Sequence, residues 1–303
     1  MRAFEPTEPG RPTTHLAGLP ISLPRAAAVS LALLAAVLAP ACSAPPASSV
    51  PLPLTPEWWV PALPMSHAPL SALLGAAPAA AARWGPAHQA AVESYLATLA
   101  RGGPQTDPEL FPAPAYVLAY LVDAHVGWTL ALGHAPALAG RDVAGLQRVP
   151  FTLGGAPMTL ERLVGEIWLR SPLEPRIRLL LNPGWRGGPE LPGCAVEGHS
   201  LDWQIAEQAA RCGRTPGFWA FDPPSRQVRL SAFSSLLWGL PDAPQARARR
   251  LLDLVPPPPE LRTAILSSCG TALQHCSVVL VPFDQSRRWT PSSDARSAAR
   301  SGA

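Results

Sequence analysis

Glu174-Pro-Arg-Ile-Arg-Leu-Leu-Leu-Asn-Pro-Gly-Trp-Arg-Gly-Gly-Pro-Glu-Leu191 is the stretch on which the reading of the fold turns. The run from Ile177 to Leu181 has the length and apolar character of a strand buried on both faces. Pro183, Gly184, Gly187, Gly188 and Pro189 then make a turn. A helix follows, capped by Ser200, running through Leu201, Ile205, Ala209 and Cys212 and closed by Gly213.

Upstream, the pattern is mostly helical. His88 to Arg101 places Val92, Tyr95, Leu96 and Leu99 on one face and stops at Gly102-Gly103. A longer segment, from Ala115 to Leu132, is apolar nearly all round, which marks a central helix. Asp123 and His125 fall inside it, either bonded to nearby backbone, at its wet end, or facing a ligand cleft. Phe151 to Met158 reads as a hairpin turning at Gly154-Gly155. Thr159 is an N-cap for a helix carrying Leu160, Leu163, Val164 and Ile167, stopped by Pro172.

Downstream, Phe218–Phe221 and Gln227–Leu230 form a second hairpin around Asp222-Pro-Pro-Ser. Helices are expected over 231–240, 246–255 and 258–268, and a last strand over Ser277–Val281. The fold class is therefore α+β, with mixed helices around a small antiparallel sheet in a single domain over 57–289.

The ends differ from this. Arg25 precedes an apolar run from Ala26 to Ala39, too short to cross a bilayer with ease, and Ala39-Pro-Ala41-Cys42 follows. That is the layout of a signal peptide over 1–41 with a long n-region, whose translation start near Arg25 is an alternative. Cys42 is a lipidation candidate, with plain cleavage nearby as the other reading. Residues 42–56 form a Pro-rich tether, and 290–303 a disordered Ser/Ala/Arg-rich tail. The chain is expected to be exported, either free in the periplasm or anchored as a lipoprotein facing the periplasm or exterior.

All 24 basic residues are Arg, so a P-loop lysine, a Schiff-base lysine and a lysine general base are excluded. The formal net charge of +3 comes without a basic stripe interleaved with aromatics, which argues against nucleic acid as a partner. Nothing in the sequence calls for a cofactor, and no paired CxxC spacing supports a metal site, although Cys194, His199 and Cys212 lie near one another in sequence.

Several motifs, in order, resemble the family known as domain of unknown function 547. They are Asp123-Ala-His-Val-Gly127, Thr159-Leu-Glu-Arg-Leu163 with Leu169-Arg170, Glu174 to Pro183 with Gly187-Gly-Pro189, Leu201 to Ala210, Leu230-Ser231 with Trp238, and Phe283 to Arg288. The resemblance covers most of residues 85–288. It implies an α+β domain whose core is likened to papain-type cysteine peptidases with rearranged element order. It also implies a nucleophilic Cys at the position of Gly188 and a His base at the position of Arg178. Asn182 and Asp284 keep the family's residue type; Asp123 and Val126 replace two Asn.

A cysteine nucleophile needs a thiolate and a neighbouring His, and a guanidinium cannot serve as a base. The expectation is thus a catalytically degenerate member. Its binding or scaffold cleft would be built from Arg178, Asn182, Asp284, Asp123 and His125, with Arg178 and Asn182 gripping a peptide or another carboxylate-bearing envelope ligand. The alternative is an active envelope hydrolase using Cys194 and His199. Against that, four cysteines remain beyond Cys42 in a signal-bearing chain, which favours disulfides, with Cys194–Cys212 and Cys269–Cys276 as the short-loop pairings. His67 and His88 read as surface residues, as do Arg247, Arg249 and Arg250; most Trp read as core.

Overall fold

Ile177 to Leu181, expected to be a strand, falls largely in a 3-10 helix over Pro175–Leu180 in the protein's structure, a computed structural model that describes residues 64–80 and 84–288. Side chains at 76–80 lie outside that description, as do the proposed signal peptide, Cys42, the tether, the start of the domain near Trp58 and the tail. The correction has a local cause. Glu174 accepts a hydrogen bond from the Arg176 amide and binds the Arg176 guanidinium through both carboxylate oxygens, so the chain coils at Pro175. Five apolar-rich residues look alike in a buried strand and a buried coil.

This short helix joins two cores. With three residues per turn, Ile177 and Leu180 share a face. Both pack into a helical core, while Leu179 faces a second core built on the sheet. Arg178 is left on neither face.

The helical core is organised by α3 (Pro114–His134), buried from Ala119 onward on almost every side. Against it lie α2 (Pro86–Arg101) and α5 (Leu160–Arg170), and α1 (Ala68–Ala80) packs on α2. The residues expected on the inner face of α2 are the buried ones. Among the described residues only α3 is long and apolar enough to cross a membrane, and most of it is buried within the protein. A short helix α4 (Val143–Gln147) leads to the hairpin of β1 (Phe151–Leu153) and β2 (Ala156–Met158). Gly154 and Gly155 turn it with φ of 55° and 77°, a region that L side chains avoid. Thr159 caps α5 by accepting from the Arg162 amide.

The second core lies under a three-stranded sheet. β3 (Trp219–Asp222) and β4 (Gln227–Ser231) pair antiparallel, and β5 (Ser277–Val281) joins β4 in parallel. A parallel return needs a long crossover, which α7 (Pro244–Leu254) and α8 (Pro259–Cys269) supply. α6 (Leu201–Arg214) packs against the 3-10 helix. The Ser200 side chain makes no cap bond to α6; it donates to Gln204 instead. Of the helix expected over 231–240, only a 3-10 segment, Ala232–Leu236, forms, and the chain then turns at Trp238 and Gly239. Cys269 and Cys276 form a disulfide that ties the end of α8 to the start of β5. All these elements belong to one compact unit, and the fold is α+β.

Candidate functional site

The turn after the 3-10 helix is held by one side chain. Asn182 is fully buried. Its Nδ2 donates to the carbonyls of Trp185 and Pro189, at 3.0 and 2.6 Å, and its Oδ1 accepts from the amides of Gly184 and Trp185, at 3.0 and 2.8 Å. The closing segment then runs alongside. Arg186 donates to Ser286, Gly187 to Asp284 and Arg288 to Gly184, all through backbone amides. The Arg288 side chain reaches back to the carbonyls of Gly188 and Arg186.

Close approach explains both glycines. A Cβ on Gly187 would lie 2.5 Å from the Asp284 nitrogen, and one on Gly188 would lie 2.9–3.0 Å from the Asn182 amide group. Three of the motif positions, Asn182, Gly188 and Asp284, therefore meet. Gly188 and Asp284 line a cavity of about 230 Å³, together with Cys212, Phe218, Ser231 and Phe233. Asn182 lies directly beneath, with its hydrogen-bonding capacity spent on the loop.

Arg178 does not join Asn182 in a clamp. It is 7% exposed and donates from Nη1 to the Leu181 carbonyl. Its guanidinium carbon stands 6.0 Å from the ring centres of both Phe233 and Trp238. Phe233 thus has the cavity on its border and Arg178 over its ring. Burial lowers the guanidinium to about 10, so it remains a cation at neutral pH. Asp284, half-exposed, is held below the usual carboxylate range first by hydrogen bonding from Ser286, and its partner Arg186 stands 3.7 Å away.

The cysteine expectations divide. Cys194 and Cys212 are both free, so that pairing does not form: Cys212 is buried in the sheet-side core, and Cys194 is at the surface. Cys212 borders the cavity, but burial pushes its thiol up to about 12, far from thiolate chemistry. Cys194 and His199 are both exposed and share no hydrogen bond; the neighbour of the Cys194 sulfur is the Gln204 amide, at 3.7 Å.

A second polar group sits inside the helical core. Asp123 is fully buried; its Oδ1 accepts from the Val196 amide at 2.9 Å, and its Oδ2 lies 3.4 Å from Nδ1 of His67. That nitrogen also hydrogen-bonds the Tyr95 hydroxyl at 2.7 Å. Burial raises Asp123 well above the carboxylate range and lowers His67 to about 4. His67, expected at the surface, is thus an anchor between the α1 start and α3. Its partners are 28 and 56 residues away in sequence, so no local signal marks it. His67, Tyr116 and Glu197 line a narrow cleft beside this group. His125, expected to bond nearby backbone or to sit at a wet end of the helix unless it faced a ligand cleft, does neither of the first two: it is fully buried with no hydrogen-bond partner on either ring nitrogen.

Arg247 is likewise buried rather than solvated: it donates to Ser235 and faces Asp242 at 3.5 Å, while Arg249 and Arg250 are exposed. Among the described residues, no three His, Cys, Asp or Glu side chains stand close enough to hold a metal ion.

The chain matches no model of a known protein family, no curated protein and no solved structure. The motif resemblance rests on the quoted residues alone.

Proposed function

We propose that this is an exported binding or scaffold domain, related in framework to a cysteine hydrolase but without its chemistry, with Cys42 as its candidate lipid anchor. The observation that carries the reading is the contact at Gly188. At the position where the resembled family has its nucleophile, the space for any Cβ is taken by the Asn182 amide. Asn182 is in turn committed to four backbone groups, so it cannot swing aside without undoing the loop. The nearby Cys212 is a protonated thiol at neutral pH. What remains is a cavity of about 230 Å³ walled by aromatic rings and glycine backbone, of a kind suited to holding a small group or a peptide side chain.

The test is turnover. Purified protein lacking residues 1–41 should leave fluorogenic peptide and ester substrates intact at every pH from 5 to 9. Hydrolysis that disappears in Cys194→Ala would establish the competing reading, an envelope hydrolase using Cys194 and His199. That reading draws on one observation, the free and exposed thiol of Cys194.

A further inference from the structure

Arg178 carries a charge that no described residue answers. No acidic side chain among the described residues stands within ion-pairing distance of it, and only one of its five N–H groups has a protein acceptor. Moving a cation out of water is costly, and an aromatic face returns only part of that cost. Two rings and a carbonyl hold the guanidinium in one orientation without neutralising it. The nitrogens left over are Nε and Nη2. They lie side by side on one edge of the fork, the arrangement that meets a carboxylate through two parallel hydrogen bonds.

His125 adds to this. It is sealed in α3 with neither nitrogen bonded, and it is near enough to Arg178 for the guanidinium charge to oppose its protonation. A neutral imidazole has one N–H to donate. On the outer side, Trp238 is half-buried on a two-residue turn with Gly239, its ring centre 5.0 Å from that of Trp168. Trp238 is thus a partly exposed group bordering the guanidinium.

We propose that Arg178 is the seat of a carboxylate-binding site, with the Nε–Nη2 edge as its grip, His125 as an additional donor, and Trp238 as its outer wall. This rests on the binding reading above and narrows it to ligands bearing a free carboxylate. The carboxylate belongs either to a small molecule or to the end of a peptide. Asn182, the partner expected from sequence, has no part in it.

The experiment is heat denaturation of the purified protein at pH 7 and constant ionic strength, with acetate titrated against chloride. A short peptide with a free C-terminal carboxylate is compared with its amidated twin. Acetate should raise the midpoint saturably in the wild type, not in Arg178→Met, and less in His125→Phe. A rise with the free peptide and none with the amide assigns the carboxylate to a peptide end; a rise with acetate alone assigns it to a small molecule. Equal effects of acetate and chloride, or an acetate rise that survives Arg178→Met, would overturn the proposal. Should Arg178→Met fail to fold, NMR of the arginine Nε–H groups in the wild type decides. One slowly exchanging signal should shift saturably with acetate, and its absence would be equally fatal. Peptide turnover would sink the binding reading alone, so the two failures are distinguishable.

Discussion

Asn182, in the glycine turn, and His125, midway along α3, are both fully buried. The asparagine makes four hydrogen bonds, all to backbone within seven residues. The histidine makes none. A saturated buried amide fixes a loop and has nothing left for a ligand. An unsaturated buried imidazole costs stability and keeps its one N–H and its acceptor nitrogen for something else. The sequence motifs point to the asparagine, whereas unspent hydrogen-bonding groups lie on the histidine and on Arg178.

The comparison can be broken most directly at Asn182. Asn182→Ala orphans the Gly184 and Trp185 amides and the Pro189 carbonyl, while the Trp185 carbonyl keeps the Gly188 amide; it should cost about 4 kcal/mol in denaturant unfolding, since each stranded buried group costs about 1–3 kcal/mol and water rescues some. A loss under about 1 kcal/mol would mean that the turn stands without it.

At His125 the sign is set by linkage. The unfolded histidine takes up a proton below pH 6.5, whereas the buried one stays neutral down to about 3. Between those values the unfolded state binds more protons, so stability rises with pH across the window and is lost on acidification. His67, lowered to about 4, acts in the same direction; Asp123, raised, acts in the opposite one. His125→Phe should therefore remove one proton from the slope, sparing roughly 3 kcal/mol between pH 6.5 and 4. An unchanged slope in urea titrations at stepped pH would show that His125 is not buried neutral.

Gly188→Ala sharpens the other side. The added methyl meets the Asn182 amide, and overpacking of this kind costs about 1–3 kcal/mol. The penalty should shrink in an Asn182→Ala background, which a double-mutant cycle measures. The smallest effect gives the scale: Thr159→Ala removes a single exposed cap on α5 and should cost about 1 kcal/mol.

What was legible in the sequence was local. The Gly154-Gly155 hairpin, the Thr159 cap, the β3–β4 hairpin, the apolar α3 and the Cys269–Cys276 loop each depend on residues a few positions apart, and each formed as read. The 3-10 helix at 175–180 was not legible, because the pairing of Glu174 with Arg176 competes with a pattern that strands and coils share. His67 and Arg247 read as surface residues because each owes its burial to packing against other elements, which neighbours in sequence do not encode. The candidate site was half legible. The motif positions 182, 188 and 284 do meet, but exposure and spare donors, on which function depends, are properties of the packed state.

Arg287 ties the carboxyl end of α3, through the carbonyls of Leu132 and Gly133, and the turn after it, through that of Leu138, to the closing segment. This latch spans about 150 positions of chain. At synthesis rates of about 5–20 residues per second, α3 waits roughly 8–30 s for it. Until then the long apolar helix has its terminal carbonyls unclaimed, and the glycine turn lacks its lateral support. Nascent chains halted before Arg287 should accordingly be the ones most readily captured by chaperones.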